Sequence, residues 1–543
     1  MKKYFRKIVW FFISISILSL VACFHNETNK NTDDKINNTL YVDIGFEPPS
    51  LDPALAEDGY SYRIVNDLFA GLIDFDQTNR PIPGMATSWD ISADGKTYTF
   101  HLRKDLKFSD GTPIKAKDFV YSWRRLINPK TGSAYNFLLS SVINGKRIIN
   151  DKMTADNLGI KALDDYTFEV NLEYPNNAFL SYMTMPNLFV VPQKIIEKYG
   201  RNWTDPLHII TSGAYILKEH VLNGHILAEK NPNYYDAKNV SIEKIKYYPF
   251  VDTNVSISNY KLKTIDTSWQ TVPVDRYQEL KNKYPKELHT IQWERIEFLN
   301  FNLKLPKYAK SLKLRKALTM AIDREVLVKD VLKSGQIPLY SIVTPTIENG
   351  KYADVKYDWS SQSREKQIIE AKKLYNEAGY NINHPLTIIL KYRNNDLYKK
   401  MSIAIAAMWR EVLGVNVQLQ NQEWKGLIQA LHKGEFDIAQ GGWGADFNSV
   451  TTYTSLFLCN NGNNNAHYCN KKYDNLVIEA EQTADINKQQ ELFKEAIKIA
   501  QDDYAVIPLF EPTHQRLVNP RVQGYDIEQN YLDNVQSKWF SLH

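Results

Sequence analysis

From Arg364 to Gly444 the sequence alternates between helical and strand-like hydrophobic period. That alternation restricts the chain more than any other feature. REKQIIEAKKLYNEAG has a helical spacing and stops at Gly379, PLTIILKY is extended, and IAIAAMWREVLG is helical again and closes at Gly414. VNVQLQ then reads as a strand, GLIQALHKG as a short helix and FDIAQGG as a further strand. A strand, a helix and a second strand return to one sheet by a crossover, so this half predicts βαβ units, a mainly parallel sheet and an α/β fold. Upstream, TLYVDIG predicts a strand that the prolines of EPPSLDP end, and SYRIVNDLFAGLIDF sets Ile64, Leu68 and Leu72 at helical spacing. Tyr98, Phe100 and Leu102 alternate as a half-buried strand does, Asp110-Gly111 supplies a turn, and Phe119, Val120, Trp123 and Leu126 restart a helical period.

Length allows several such units, since 543 residues at ~100 to 200 per domain make roughly two to four domains. The first 22 residues are not among them. MKKYFRK supplies positive charge and IVWFFISISILSLVA an apolar run of ~15 residues, short of the ~20 a spanning helix needs, so this is a targeting segment ahead of Cys23. Removing it takes away Lys2, Lys3, Arg6 and Lys7 and no acid, and the formal charge of +4 falls to zero. The basicity belongs to the signal, and nucleic acid is not an expected partner. FHNETNKNTDDKINN is too polar to offset its own ordering entropy and reads as a tether. The remaining cysteines, Cys459 and Cys469, flank an Asn-rich loop, and an exported chain favours a disulfide there. The rival, a metal held by both thiols and His467, lacks a fourth ligand, so no metal is expected. The 33 tyrosines and 11 tryptophans suit a ligand cleft, and equally a large aromatic core.

The search for catalytic chemistry is mostly negative. HExxH, GxSxG and GxGxxG are absent, and ADGKT, the nearest approach to a phosphate loop, has Asp90 where that loop needs glycine. No cofactor is implied and the chain does not read as an enzyme. GGWGADFNSV is more informative. Gly441, Gly442 and Gly444 are expected to clear side chains so that an extended ligand can pair its backbone with this segment; Trp443 could wall the groove, and Asp446 could bury a cationic group such as an α-amino group. A glycine-rich bulge with a capping aspartate is an equal reading of the motif alone.

RPIPGMATSWDISADGKTYTFHLRKDLKFSDGTPIKAKDFVYSWRR resembles the signature region of the bacterial extracellular solute-binding proteins, family 5, which serve ABC-type peptide importers. The likeness to the oligopeptide-binding members runs through LYVDIGFEPPSLDPALAEDGYSYRIVNDLFAGL, NLGIKALDDYTFEV, TSGAYILKEH, LRKALTMAIDREVLV, LTIILKYRNNDLYKKM, VNVQLQNQEWKGLI and GGWGADFNSVTTYTSLF. It implies an α/β, two-lobed periplasmic binding protein fold, type II, cluster C, with an extra inserted domain. The implied parts are a lipoprotein signal at 1–22, a tether at 23–38, lobe I from 39–69, 195–294 and 513–543, inserted domain II at 70–194, and lobe III at 295–512. LVAC resembles a lipobox, which would make Cys23 the lipidated N-terminus of a protein anchored in the cell envelope, in the periplasm or facing outside the cytoplasm.

The resemblance also assigns roles. Asp446 would hold a peptide's α-amino group, Gly442 and Gly444 would pair with its main chain, Glu57 and Gly59 would pair with it from lobe I, and Trp424 and Tyr135 would line the pocket. Gln440 stands where enteric relatives have an arginine near the peptide's C-terminal side, and Tyr398 where they have a histidine. A neutral Gln cannot make the forked charged pair that Arg makes. Relatives carry a disulfide that would join the positions of Gly444 and Arg295, so that bridge is lost here. The implied partners are short peptides, ABC permease subunits and a membrane through the N-terminal lipid, with the protein a monomer. A murein peptide, a dipeptide, a nickel complex or haem in the same fold remain alternatives, as do a peptide hydrolase and a surface interaction protein.

Overall fold

TLYVD is buried along its whole length, as a strand covered on both faces must be. A computed structural model of the chain describes residues 38–269, 271–525 and 529–543, and no side-chain description extends to Trp424 or Lys425. The targeting segment and Cys23 lie outside the described residues. Strand β1 (Thr39–Asp43) is parallel to β10 (Lys244–Tyr248), which continues antiparallel into β9 (His225–Lys230) and β8 (Tyr215–Val221), in the order β1-β10-β9-β8.

Helix Gly59–Leu68 packs its buried Ile64, Val65 and Leu68 into the core of this sheet. Asp58 caps it by accepting from the amides of Tyr60 and Ser61. Leu72, expected on the same helix, is not on it. The chain is already extended at Phe69, and Gly71 backs onto the Phe189 ring so closely that a Cβ would lie 2.6 Å from it. The segment then forms a ribbon of β2 (Ile73–Phe75) and β3 (Pro81–Pro83).

A second, antiparallel sheet follows, made of β4 (Ala86–Ile91), β5 (Thr97–Leu102), β6 (Ile160–Ala162) and β7 (Thr167–Asn171) in the order β4-β5-β7-β6. Alternation on β5 turns Tyr98, Phe100 and Leu102 inward, where Phe119 and Trp123 of helix Ala116–Ile127 meet them in one core. Asp110 and Gly111 form the expected turn, with Gly111 at φ +86°.

The third sheet contains β12 (Arg295–Phe301), β13 (Ile337–Pro338), β14 (Thr387–Arg393), β15 (Asn416–Gln422), β16 (Ile438–Gly444) and β17 (Val506–Glu511), in the order β13-β17-β12-β16-β14-β15. It is mixed rather than mainly parallel. The expectation holds where helices connect the strands, since β14 is parallel to both β15 and β16, but β12 is antiparallel to β16 and β17, and β17 to β13. Those strands arrive through longer excursions that impose no crossover. Cores cover both faces. Leu299 and Phe301 of β12 join one with helix Asp396–Leu413, and Ile296 and Phe298 join the other with helix Ile486–Asp502. Each such side chain contributes roughly 1.5–3 kcal/mol of burial.

Two chain crossings link this sheet to the ribbon of β11 (Leu288–Gln292) and β18 (Thr513–Leu517). One runs through Trp293 and Glu294, the other through Pro512, and the Trp293 amide donates to the Pro512 carbonyl at 3.1 Å. Each crossing carries a buried carboxyl, Glu294 and Glu511. Glu294 accepts from Thr346 Oγ1 (2.8 Å) and Tyr453 Oη (3.3 Å), and its pKa is pushed up to about 7 by burial. Neither oxygen of Glu511 has a hydrogen-bond partner among the described residues; burial first, and the nearby Glu294 second, push its pKa up to about 9. A carboxyl whose pKa rises on folding must take up a proton as the chain folds. Stability from Glu511 is therefore full below its ordinary value of 4.5 and is lost as pH rises through about 9. Glu511→Gln should raise the melting temperature at pH 8 by several degrees, with the gain fading toward pH 5, as read by thermal denaturation across that range.

Candidate functional site

Strand β16 is fastened unequally on its two edges. Along β12 every residue is paired, from Phe301 opposite Ile438 to Arg295 opposite Gly444. Along β14 pairing covers Ile438 and Ala439 and stops there. Gln440 to Gly444 therefore present a backbone edge that no described strand covers, next to Asp446.

The glycines act differently from the expectation. Side chains leave a strand toward its faces, so a glycine does not clear the in-plane edge. A Cβ at Gly441 would strike Asn300 Nδ2 and lie 2.7 Å from Phe298, and one at Gly442 would strike Arg295 Nη2 and lie 2.7 Å from Glu297 Oε2. Both glycines admit side chains of β12, and it is the early end of β14 that opens the edge. Gly444 is less crowded, its nearest neighbour being Trp293 at 3.6 Å.

Trp443 lies on the opposite face from Gly442 and Gly444. It is half-buried, packs against the core containing Ile296 and Phe298, and donates from Nε1 to Thr452 Oγ1 at 3.2 Å. Trp424 opens helix Trp424–Lys433, and its side chain lies outside the described residues.

Asp446 is half-buried just past the strand, where the Ala445 amide donates to the Glu294 carbonyl at 2.7 Å. Its Oδ1 accepts from Tyr135 Oη at 3.0 Å, the one hydrogen bond to its carboxylate among the described residues. Burial pushes its pKa up to about 6, and the Tyr135 bond only partly offsets this. Tyr135 comes from the segment beside the β4–β7 sheet and meets Tyr62 edge-on at 6.1 Å; Tyr62 in turn donates to Asn187 Oδ1 at 3.1 Å. Burial first, then the charge of Asp446 and more weakly that of Glu57, hold the Tyr135 phenol protonated. Glu57 and Gly59 are exposed at the start of helix Gly59–Leu68, and a Cβ on Gly59 would meet nothing within 4 Å. Asp446 and Tyr135, distant in sequence, are thus hydrogen-bonded to each other, and the charge of Glu57 reaches Tyr135.

A second cluster sits farther down the strand. Glu297, 2% exposed, accepts from Arg295 Nε (2.6 Å), Tyr398 Oη (3.2 Å) and Gln440 Nε2 (3.4 Å). Sequence reasoning missed Glu297 and any positive role for Arg295. The signal was there, since RIEF places two charges on alternate residues of a strand between apolar ones. Arg295 and Gly444, the positions of the bridge the resemblance marks as lost, are direct cross-strand partners. Cys459 and Cys469 form a disulfide, which removes both thiols from the metal reading. Among the described residues no group of three or more His, Cys, Asp or Glu is placed to hold a metal, and no helix is long and apolar enough to cross a membrane.

Residues 80–465 match the family described as bacterial extracellular solute-binding proteins, family 5. The chain belongs to this family. The periplasmic oligopeptide-binding protein OppA of Salmonella typhimurium is 38% identical over 502 residues, 92% of each chain. A structure of Haemophilus influenzae OppA in complex with RPPGFSPFR superposes with a TM-score of 0.81 at 33% identity, covering 93% of this chain and 99% of that one. The Escherichia coli murein tripeptide binding protein MppA gives a TM-score of 0.82 at 31% identity, covering 93% and 98%. This family 5 protein therefore has the two-lobed α/β periplasmic binding fold.

Tyr135→Phe removes the hydrogen bond that favours ionised Asp446. The titration midpoint of that carboxyl should rise above about 6 in the free protein, as followed by carboxyl carbon NMR of aspartate-labelled protein with Asp446→Asn used for assignment.

Proposed function

We propose that this solute-binding protein is a lipid-anchored extracytoplasmic receptor that binds short peptides and delivers them to an ABC permease without chemistry. One observation carries the reading: a half-buried carboxylate, Asp446, whose one hydrogen-bond partner among the described residues is a tyrosine, stands at the end of a strand edge that no described strand covers. An extended peptide lying along Gln440–Gly444 would satisfy its main chain there by strand addition, through Gly442 and Gly444. Its α-ammonium would meet Asp446, supplying the cation that a desolvated carboxylate otherwise replaces with a proton. In this reading Glu57 and Gly59 pair with the peptide from the other lobe and Tyr135 and Trp443 bound its path; the role the resemblance gives Trp424 falls on a side chain outside the described residues. Gln440, buried against Glu297, sets the far end.

Affinity that comes from main-chain pairing and one terminal charge does not depend on side-chain identity. Relatives named as oligopeptide-binding proteins, one solved with a nonapeptide, support the substrate class. The same proposal puts lobe I at 39–69, 195–294 and 513–543, the inserted domain at 70–194 and lobe III at 295–512, a division supported by no described sheet having strands on both sides of it. Lipidation of Cys23 and a place in the cell envelope belong to the same proposal.

Calorimetry with tri- to hexapeptides tests it. Asp446→Ala should weaken free-amine peptides by ~2–5 kcal/mol, and N-acetylated peptides should bind the wild type about as poorly. Binding an ammonium lowers the Asp446 pKa below its free value of about 6, so binding releases a proton in acid. Affinity should be flat above about pH 7 and fall by up to about tenfold per pH unit below 6, a slope absent in Asp446→Asn. Equal affinity for acetylated and free peptides would sink the reading.

A further inference from the structure

The pairing of β12 with β16 sets Arg295 and Glu297 on the same sheet face as Gly444 and Gly442. The guanidinium therefore lies over the uncovered stretch of β16: a Cβ on Gly442 would strike Nη2, and one on Gly444 would come 3.8 Å from Nη1. Its orientation is fixed from two sides. Nε donates to Glu297 Oε1 at 2.6 Å, and the guanidinium stacks over Trp293 with its carbon 4.9 Å from the ring centroid, while Trp293 itself packs on His514 at 4.1 Å. With Nε engaged, Nη1 and Nη2 make no hydrogen bond among the described residues, and the side chain keeps 20% of its surface exposed. A buried counterion for Glu297 needs only one of these nitrogens. The other two form a fork held ready beside the strand edge.

We propose that Arg295 is a specificity residue that receives a ligand carboxylate about three residues along from the amine held by Asp446. The inference rests on the peptide reading above. Asp446 is two to four residues from Gly444 and Gly442, and strand partners advance ~3.3 Å per residue. A ligand residue opposite Gly444 or Gly442 directs its side chain to the face that Arg295 occupies. The fork suits a planar carboxylate in two parallel hydrogen bonds. Near the guanidinium, Glu297 is offset by Arg295, Arg393 adds a positive influence at Tyr398 and Tyr60, Asp533 beside His514 is paired with Arg516, and Asp446 is met by the ligand amine in the reading above. The carboxylate has two sources: the C-terminus of a tripeptide, or an acidic side chain near the third position of a longer peptide.

Two matched pairs separate them. Ala-Ala-Ala and its C-terminal amide report the terminus; Ala-Ala-Asp-Ala-Ala amide and its Asn counterpart report the side chain. Calorimetry on the wild type should show a preference of about tenfold or more for the carboxylate member of at least one pair. That ratio should fall toward one in Arg295→Gln, and also in Arg295→Gln with Glu297→Gln, which leaves no stranded buried glutamate. A wild-type ratio near one in both pairs, with Asp446-dependent binding intact, overturns the role of Arg295 alone. A ratio that survives in both variants overturns it as well. Binding of none of the four peptides overturns the peptide reading and this inference together.

Discussion

The candidate site depends on one inequality of pairing. Strand β16 is held by β12 over its whole length but released by β14 after Ala439, while β14 spends its own full length on β15. A strand paired on one edge keeps its backbone straight and leaves the amides and carbonyls of the other edge aligned and unspent. Asp446 follows within two residues, and the Ala445 amide is tied to the Glu294 carbonyl, so edge and carboxylate are positioned as one unit.

Three buried carboxyls illustrate how desolvation is met. Glu297 accepts from a guanidinium, a phenol and an amide, so its oxygens are met within the fold. Glu511 has no hydrogen-bond partner among the described residues, and burial pushes its pKa up to about 9. Asp446 is intermediate, with one phenol and access to the cleft. A ligand can bring the missing positive charge to Asp446 and cannot bring it to Glu511, which is sealed at the crossing between lobes. Under the proposed function the same physics makes one carboxyl a binding group and the other a proton store.

The proposed amine site is assembled from two bodies. Asp446 belongs to the segment after β16 and Tyr135 to the domain of the β4–β7 sheet, and neighbouring contacts join the same bodies: Phe447 packs on Tyr182 at 4.6 Å, and Asn177 donates to Gln489 at 3.1 Å. The covalent links at Trp293–Glu294 and Pro512 lie elsewhere, in two short extended segments bonded to each other. Rotation about such a pair would separate Tyr135 from Asp446 and draw Phe447 out of the core it shares with the β4–β7 domain.

The sequence by itself determined the local elements wherever period and punctuation agreed. The helix closed by Gly379, the helix closed by Gly414 at φ +74°, and the strands between them form where the pattern places them, because amphipathic spacing and a left-handed cap are local properties. It also marked Asp446, since glycines, an aromatic and an acid in one short run are visible without a fold. Tertiary structure alone decided the rest. Nothing local says that β12 and β17 run antiparallel within the sheet, that the helix ends at Leu68 and leaves Leu72 outside it, or that Gly441 and Gly442 make room for Asn300, Phe298, Arg295 and Glu297. The joining of Tyr135 to Asp446, and of Arg295 and Tyr398 to Glu297, is likewise a matter of which distant segments pack together. Strand order and register arise from long-range burial, and so the environment of each charge, with its protonation, becomes defined only when the chain has closed.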